Sequence, residues 1–311
     1  MTCRRPCFAI LAAVLAALLG GCGATDDTTA ATTVAATTTQ LGDLARAVAG
    51  GRASVRQILE PNSDPHAYEP RPSDVKAVAA AKVVLRSGGD LDAWLGDVLR
   101  NAGSDARTIT ILDELPAVRR DKNGIDPHWW QDPRNAELAV RRIRDALAAA
   151  DPAGRATYDA NAARYLTRLR ALDRAIARCM RAIPAARRRL VTDHDALGAY
   201  ADRYGIDVIG TVIPANSTQA QASAGEVFRL VRTIRLAGVS TIFPESSVNP
   251  KLTRAIARDA GAKVGPALYA DSLGATGSPG ATYLGSLRAN TQALAAGFTN
   301  GGARCALPGQ L

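Results

Sequence analysis

The feature that most limits how this chain folds is a long apolar stripe with α/β alternation on both sides. Tyr158, Ala162, Tyr165, Leu169, Leu172, Ile176, Cys179 and Ile183 recur at alternating spacings of four and three. That is one continuous face of a helix. Asp151 suits an N-cap, Pro152 a first turn, and Pro184 a stop. A single helix is expected over 151–183, with two helices and a break between them as the other reading. About 32 residues at 1.5 Å each give roughly 48 Å, longer than a small lobe is wide.

Before the stripe, the segments 34–39, 54–59, 82–86 and 107–112 are short and rich in β-branched residues. Helical patterns lie near 41–49, 73–80, 91–102 and 134–149. After it, strand-like runs fall at 188–192, 207–212, 239–243 and 263–268, with helices near 195–204, 219–237, 250–260 and 282–297. Such alternation argues for parallel sheets covered on both faces. The expected fold is α/β: two (β/α)4 lobes with parallel four-stranded sheets, residues 34–150 and 184–311, joined by one long backbone helix.

The first residues read as an address. Arg4 and Arg5 precede Phe8–Leu19, an apolar run of 12 residues. Spanning a bilayer takes about 20, so the run fits a signal peptide over 1–21. It ends in Leu19-Gly20-Gly21-Cys22, which resembles a bacterial lipobox with Cys22 as the lipidated residue. A plain cleavable signal with an incidental cysteine is the other reading. Residues 22–33 are small and polar, as a flexible tether would be. With Cys3 and Cys7 in the signal, Cys179 and Cys305 remain. In an oxidising compartment an even pair forms a disulfide; two free thiols are the alternative. With no CxxC spacing, they are not a zinc pair.

The formal charge is +9, which raises the question of nucleic acid. Two of those charges, Arg4 and Arg5, belong to the signal. The densest run, Arg187-Arg188-Arg189, flanks a strand and accompanies no nucleic-acid motif. At 47% hydrophobic residues the chain is too apolar for disorder and too polar for many membrane spans.

Histidine chemistry must rest on three residues, since the chain contains only 3. Asp64-Pro65-His66 and Asp126-Pro127-His128 are one tripeptide used twice, a coincidence on the order of 1 in 25,000 for this composition. His194 sits in Thr192-Asp193-His194-Asp195. All three follow strand-like runs, and loops beyond strand ends are where such sheets bind ligands. Imidazole suits zinc and its first-row neighbours. Asp64, Asp126 and Asp193 are placed to hold the second ring nitrogen. A fourth ligand is wanted. Asp271 follows the last strand and is preferred; Glu245 follows another and could ligate or support.

At this point the chain resembles a known family: the metal-specific solute-binding proteins of bacterial ABC transporters for zinc and manganese, the cluster A-I or zinc-uptake-A-like proteins. The stretches that carry the likeness are 64–74 with 89–95, 126–133 with Asp151-Pro152 and 158–161, 192–200, 242–247, and 271–274 with Tyr283 and Asn290. The resemblance implies two lobes on a single long helix with the metal between them. It implies His66, His128, His194 and Asp271 as ligands. Three His and one Asp point to Zn²⁺, with Mn²⁺ as the alternative. It also implies a non-enzymatic, monomeric binding protein outside the membrane, anchored by lipid, whose partners are a permease and its ATPase rather than nucleic acid. One departure stands out: many zinc-specific relatives carry a His-rich loop before the second ligand, and here residues 114–125 are short and lack His. A surface adhesin on the same fold is a second reading. A zinc hydrolase, with Glu245 as base and an open fourth position, is a third, though no HExxH appears.

Overall fold

The computed structural model describes residues 32–121 and 123–309. The expected signal 1–21, Cys22 and tether residues 22–31 lie outside the described residues. The chain opens with β1 (Thr32–Ala36), α1 (Thr39–Ala49), β2 (Ala53–Gln57), α2 (Pro72–Ala79), β3 (Val83–Arg86), α3 (Leu95–Ala102) and β4 (Arg107–Thr110). These strands form one parallel sheet in the order β2-β1-β3-β4. Val34 at its centre stands opposite Val55 on one side and Val83 on the other.

The strand expected over 34–39 ends early, at Ala36. Thr37 and Thr38 form a bend, and the Thr38 side chain accepts the N–H of Leu41 to cap α1. A threonine oxygen competes for backbone donors, so a run of threonines after a strand favours a cap over more strand. A short antiparallel pair, β5 (Arg120–Asp121) and β6 (Gly124–Ile125), follows; no periodicity announced it. Then come α4 (Pro133–Ala150) and α5 (Arg155–Ala182).

The stripe does form one unbroken helix. Its 28 residues correspond to about 42 Å. It begins later than expected because Pro152–Gly154 wind as a 3₁₀ turn. Cys179 near its end is disulfide-bonded to Cys305, with Cα atoms 5.4 Å apart. The bond ties the C-terminal segment to α5.

Beyond α5 lie β7 (Arg189–Thr192), α6 (Gly198–Tyr204), β8 (Asp207–Thr211), α7 (Ala224–Ala237), β9 (Thr241–Ile242), α8 (Lys251–Ala260), β10 (Lys263–Val264) and α9 (Tyr283–Phe298). In place of the expected four-stranded sheet there are two parallel pairs, β7–β8 and β9–β10. Single parallel bridges supplement them: Thr192 with Phe243 links the β7–β8 pair to the end of β9, and Glu245 with Leu268 extends the β9–β10 pair. The strands expected at 239–243 and 263–268 narrow to two residues each. In the second, Pro266 cannot donate to a ladder and interrupts the run.

Side-chain alternation sets the layers. In β3, Val83 and Leu85 enter a central cluster with α1, α4, α5 and α9, while Val84 turns to a second cluster with Val78 of α2 and Leu95 and Val98 of α3. The same holds across the C-terminal strands: Leu190 and Phe243 face the central cluster, Val191 and Ile242 a third with Leu230, Ile234 and Ile256. Both sets of strands thus share one apolar layer around α5, and each is covered by its own helices on the other face. This mixed α/β arrangement with parallel sheets leaves the carboxyl ends of the strands to carry the loops. No helix among the described residues is long and apolar enough to cross a membrane.

Candidate metal centre

Each of the four residues singled out above follows the carboxyl end of a strand: His66 after β2, His128 beyond β4 and the short β5–β6 pair, His194 after β7 and Asp271 after β10. The fold brings them together. One donor atom from each lies within 4.8 Å of those of the others. The Nε2 atoms of His194, His128 and His66 stand 3.1, 3.2 and 3.5 Å from the Asp271 carboxylate. The three rings pack edge to face, with centroids 5.3–5.5 Å apart.

His66 is held by a 3₁₀ turn, Pro65–Ala67, whose cap Asp64 accepts the His66 N–H at 2.9 Å. Asp126 plays the same capping part for the His128 N–H at 3.0 Å and also meets the His128 Nδ1 at 2.7 Å. Arg119 donates to the far oxygen of Asp126 at 3.0 Å and to Asp202 on α6. His194 is set by Glu245, which accepts its N–H at 3.0 Å and lies 2.9 Å from its Nδ1, though out of line for a hydrogen bond.

Asp64 and Asp193 depart from the expectation that each would hold a ring nitrogen. Asp64 accepts instead from the Thr218 hydroxyl at 2.6 Å. Asp193 accepts the Glu245 N–H at 2.7 Å and the Thr253 hydroxyl. The reason is tertiary: distant segments bring the Thr218 hydroxyl to Asp64 and the Glu245 N–H and Thr253 hydroxyl to Asp193, while Asp126 alone of the three has a histidine ring nitrogen at hydrogen-bond distance. Glu245 is behind His194, on the Nδ1 side, so it neither joins the four donors nor faces an open position, as a hydrolase base would have to.

Burial decides what this cluster can be. Asp271 and His194 are fully buried, and neither Asp271 oxygen has a hydrogen-bond donor among the described residues. A buried carboxylate costs several kcal/mol unless its charge is balanced, and a cation among the four donors would balance it. Without a cation the imidazoles take that part, and a bound cation would displace their protons. Burial would raise the Asp271 pKa, but the imidazoles of His194 and His128 hold it well below the usual carboxylate value. Burial works against protonated His128, yet Asp271 and Asp126 outweigh it and lift that ring to about 9. His194 is likewise raised against burial, by Asp271 and Glu245. His66 goes the other way, to about 4, because burial exceeds the pull of Asp271. Burial, then the charge of Glu245, pushes Asp193 up to about 6.

Several residues that shape the site were not foreseen. Gln40 donates to the Asp271 carbonyl at 3.0 Å. Trp130 and Gln131 both donate to the Ala270 carbonyl at 2.8 Å. The Thr39 hydroxyl accepts the Leu273 N–H at 2.9 Å. Residues at the start of α1 and in the turn after His128 therefore hold the segment that carries the carboxylate. Thr39 and Gln40 could have been found by the strand-end rule, since they follow β1, and Trp130 and Gln131 by adjacency to His128. Thr218 and Gln219, whose amide donates to the His66 carbonyl at 3.2 Å, lie in a loop with no such signal.

The chain is similar to known proteins over most of its length. The family model described as ZnuA, zinc-uptake complex component A periplasmic, matches residues 34–297. The manganese-binding lipoprotein MntA of Halalkalibacterium halodurans is 31% identical over 303 residues, covering 95% of this chain and 99% of its own length. The iron-binding protein YfeA of Yersinia pestis is 32% identical over 264 residues, 84% of each chain. The solved structure of the periplasmic zinc binding protein TroA from Treponema pallidum superposes with a TM-score of 0.81 at 25% identity, covering 86% of this chain and 99% of that one. A match that runs through both sets of strands, with relatives aligned over most of their length, means that the chain belongs to the zinc-uptake complex component A family, substrate-binding proteins of ABC transporters and not enzymes.

Proposed function

We propose that this protein captures a divalent transition metal, Zn²⁺ first, through His66, His128, His194 and Asp271, and delivers it to an ABC permease driven by its ATPase. The observation that carries this reading is the buried convergence of three imidazole Nε2 atoms on a carboxylate without hydrogen-bond donors among the described residues. Nitrogen-rich sets of four suit zinc, and four protein ligands favour holding over catalysis. Mn²⁺ is the second reading, supported by the name of the manganese-binding relative aligned over 95% of this chain.

The same reading takes residues 34–150 and 184–311 as two lobes, with the helix of 151–183 between them and the metal at their junction. It places the protein outside the cytoplasm as a monomer, held to the membrane by lipid on Cys22. The basic-apolar-small pattern over Arg4–Cys22 and the lipoprotein name of the MntA relative support that placement.

The test is competitive titration of the purified protein with Zn²⁺ and Mn²⁺, with stoichiometry measured by elemental analysis. One metal per chain, lost in His194→Ala, is expected. Full metal content in a variant lacking all three histidines would overturn the ligand set, and tighter binding of Mn²⁺ would reverse the metal order.

A further inference from the structure

A second polar site lies where α1, α5 and the start of α9 meet. A cavity of about 340 Å³ there is lined by Arg46, Arg164 and Arg168, together with Asp43 and Tyr165. Arg164 and Arg168 are four apart on α5 and so share a face; Arg46 comes from α1. Arg46 donates to the Gln57 side-chain oxygen at 2.8 Å and Arg164 to that of Asn161. Both acceptors are neutral, so neither cancels charge. One carboxylate lines the cavity as well: Asp43 accepts the Tyr283 N–H at 2.9 Å, in the first turn of α9, and offsets one of the three guanidinium charges.

Two buried donors, one on a lining residue and one on Arg288 near Arg168, have no acceptor among the described residues. The Tyr165 hydroxyl is buried without a hydrogen-bond partner, its residue 7% exposed. Arg288 of α9 gives its Nε and one Nη to the carbonyls of Pro308 and Gly309, but its Nη1 is buried and unpartnered. Burial and the nearby charge of Arg168 hold the Arg288 guanidinium below its ordinary pKa, as expected where positive charge is in excess.

Buried donors without acceptors are rare because each forfeits its hydration. Guanidiniums supply forked donors matched to tetrahedral oxyanions. We propose that this cavity binds a phosphate-type oxyanion, held by Arg46, Arg164 and Arg168 and by the Tyr165 hydroxyl. The site shares no side chain with the four donors of the metal cluster, so it stands or falls independently of the metal reading. The same chemistry is offered by free phosphate and by the headgroup of an anionic phospholipid.

The experiment titrates the full chain with inorganic phosphate by calorimetry at low salt. In parallel it measures sedimentation with vesicles of phosphatidylglycerol against vesicles of phosphatidylcholine. Phosphate binding that falls at least about tenfold in Arg168→Gln and about threefold in Tyr165→Phe supports the site with the free ion as its ligand. Binding only to phosphatidylglycerol vesicles, weakened by the same two changes, supports it with the headgroup as ligand. No binding in either arm overturns the proposal, as does binding that both variants retain in full. Tyr165→Phe keeps the ring and its packing, so it decides the matter should Arg168→Gln also lose metal and prove misfolded.

Discussion

The two Asp-Pro-His turns are the same tripeptide in different surroundings. Around His128, the aspartate caps the turn, holds the ring nitrogen at 2.7 Å and is itself held by Arg119. Around His66, the aspartate caps the turn but reaches across to Thr218, leaving the ring without a carboxylate on its Nδ1 side among the described contacts. Both rings lose water. For His128 two carboxylates more than compensate and its pKa rises to about 9; for His66 burial wins and it falls to about 4. An identical local sequence therefore yields one pinned imidazole and one held mainly through its backbone.

The largest expected effect does not distinguish the turns. His128→Ala and His66→Ala should each weaken metal binding by more than about 100-fold, since losing a ligand exceeds the 10–100-fold typical of losing its support. Competition against a chromophoric chelator measures this; retention of tight binding by either variant would remove that residue from the ligand set.

The disulfide provides a contrast in kind. Replacing Cys179 and Cys305 by Ser should lower stability by about 2–4 kcal/mol, read by urea unfolding, while metal affinity stays the same in both turns' terms. A fall in affinity instead would mean that the C-terminal tie positions the site.

The comparison itself is sharpest in the aspartates. Asp126→Asn should cost about 10–100-fold in metal affinity, whereas Asp64→Asn should cost less than about threefold, one modest hydrogen bond. Equal losses would show that the two turns work alike and would break the distinction drawn here.

The smallest effect lies at the start of the long helix, remote in sequence from both turns. Asp151 pairs with Arg52 at 2.6 Å and accepts from Tyr158 at 2.7 Å. These partners draw its pKa from the usual 3.8 down to about 2. A carboxylate depressed in the folded state contributes stability above about pH 4 and loses it as pH falls toward 2. Asp151→Asn should flatten that part of the stability profile without changing metal affinity. An unchanged profile would mean that the pair contributes nothing measurable, as exposed pairs often do.

Much of the fold was legible because its signals are local. The 4,3 spacing from Tyr158 to Ile183 predicts α5, and the one discrepancy, its later start, comes from three residues around Pro152 that wind more tightly. Strand positions followed from β-branched runs, but strand lengths did not: the Thr37–Thr38 cap and Pro266 trim them, and each acts through a backbone hydrogen bond that composition does not display. The short β5–β6 pair had no apolar alternation to reveal it.

The site divides in the same way. With three histidines in the chain, the sequence by itself settled which imidazoles were available, and strand ends narrowed the carboxylates to two. Tertiary structure alone separated Asp271, which faces all three Nε2 atoms, from Glu245, which lies behind His194. It alone assigned Gln40, Trp130 and Gln131 to the segment that carries Asp271, and Thr218 to Asp64. Periodicity along a chain records which face of an element is buried. Which atoms converge at the ends of different strands depends on how the sheets and helices pack, and that is decided by contacts between residues far apart in sequence.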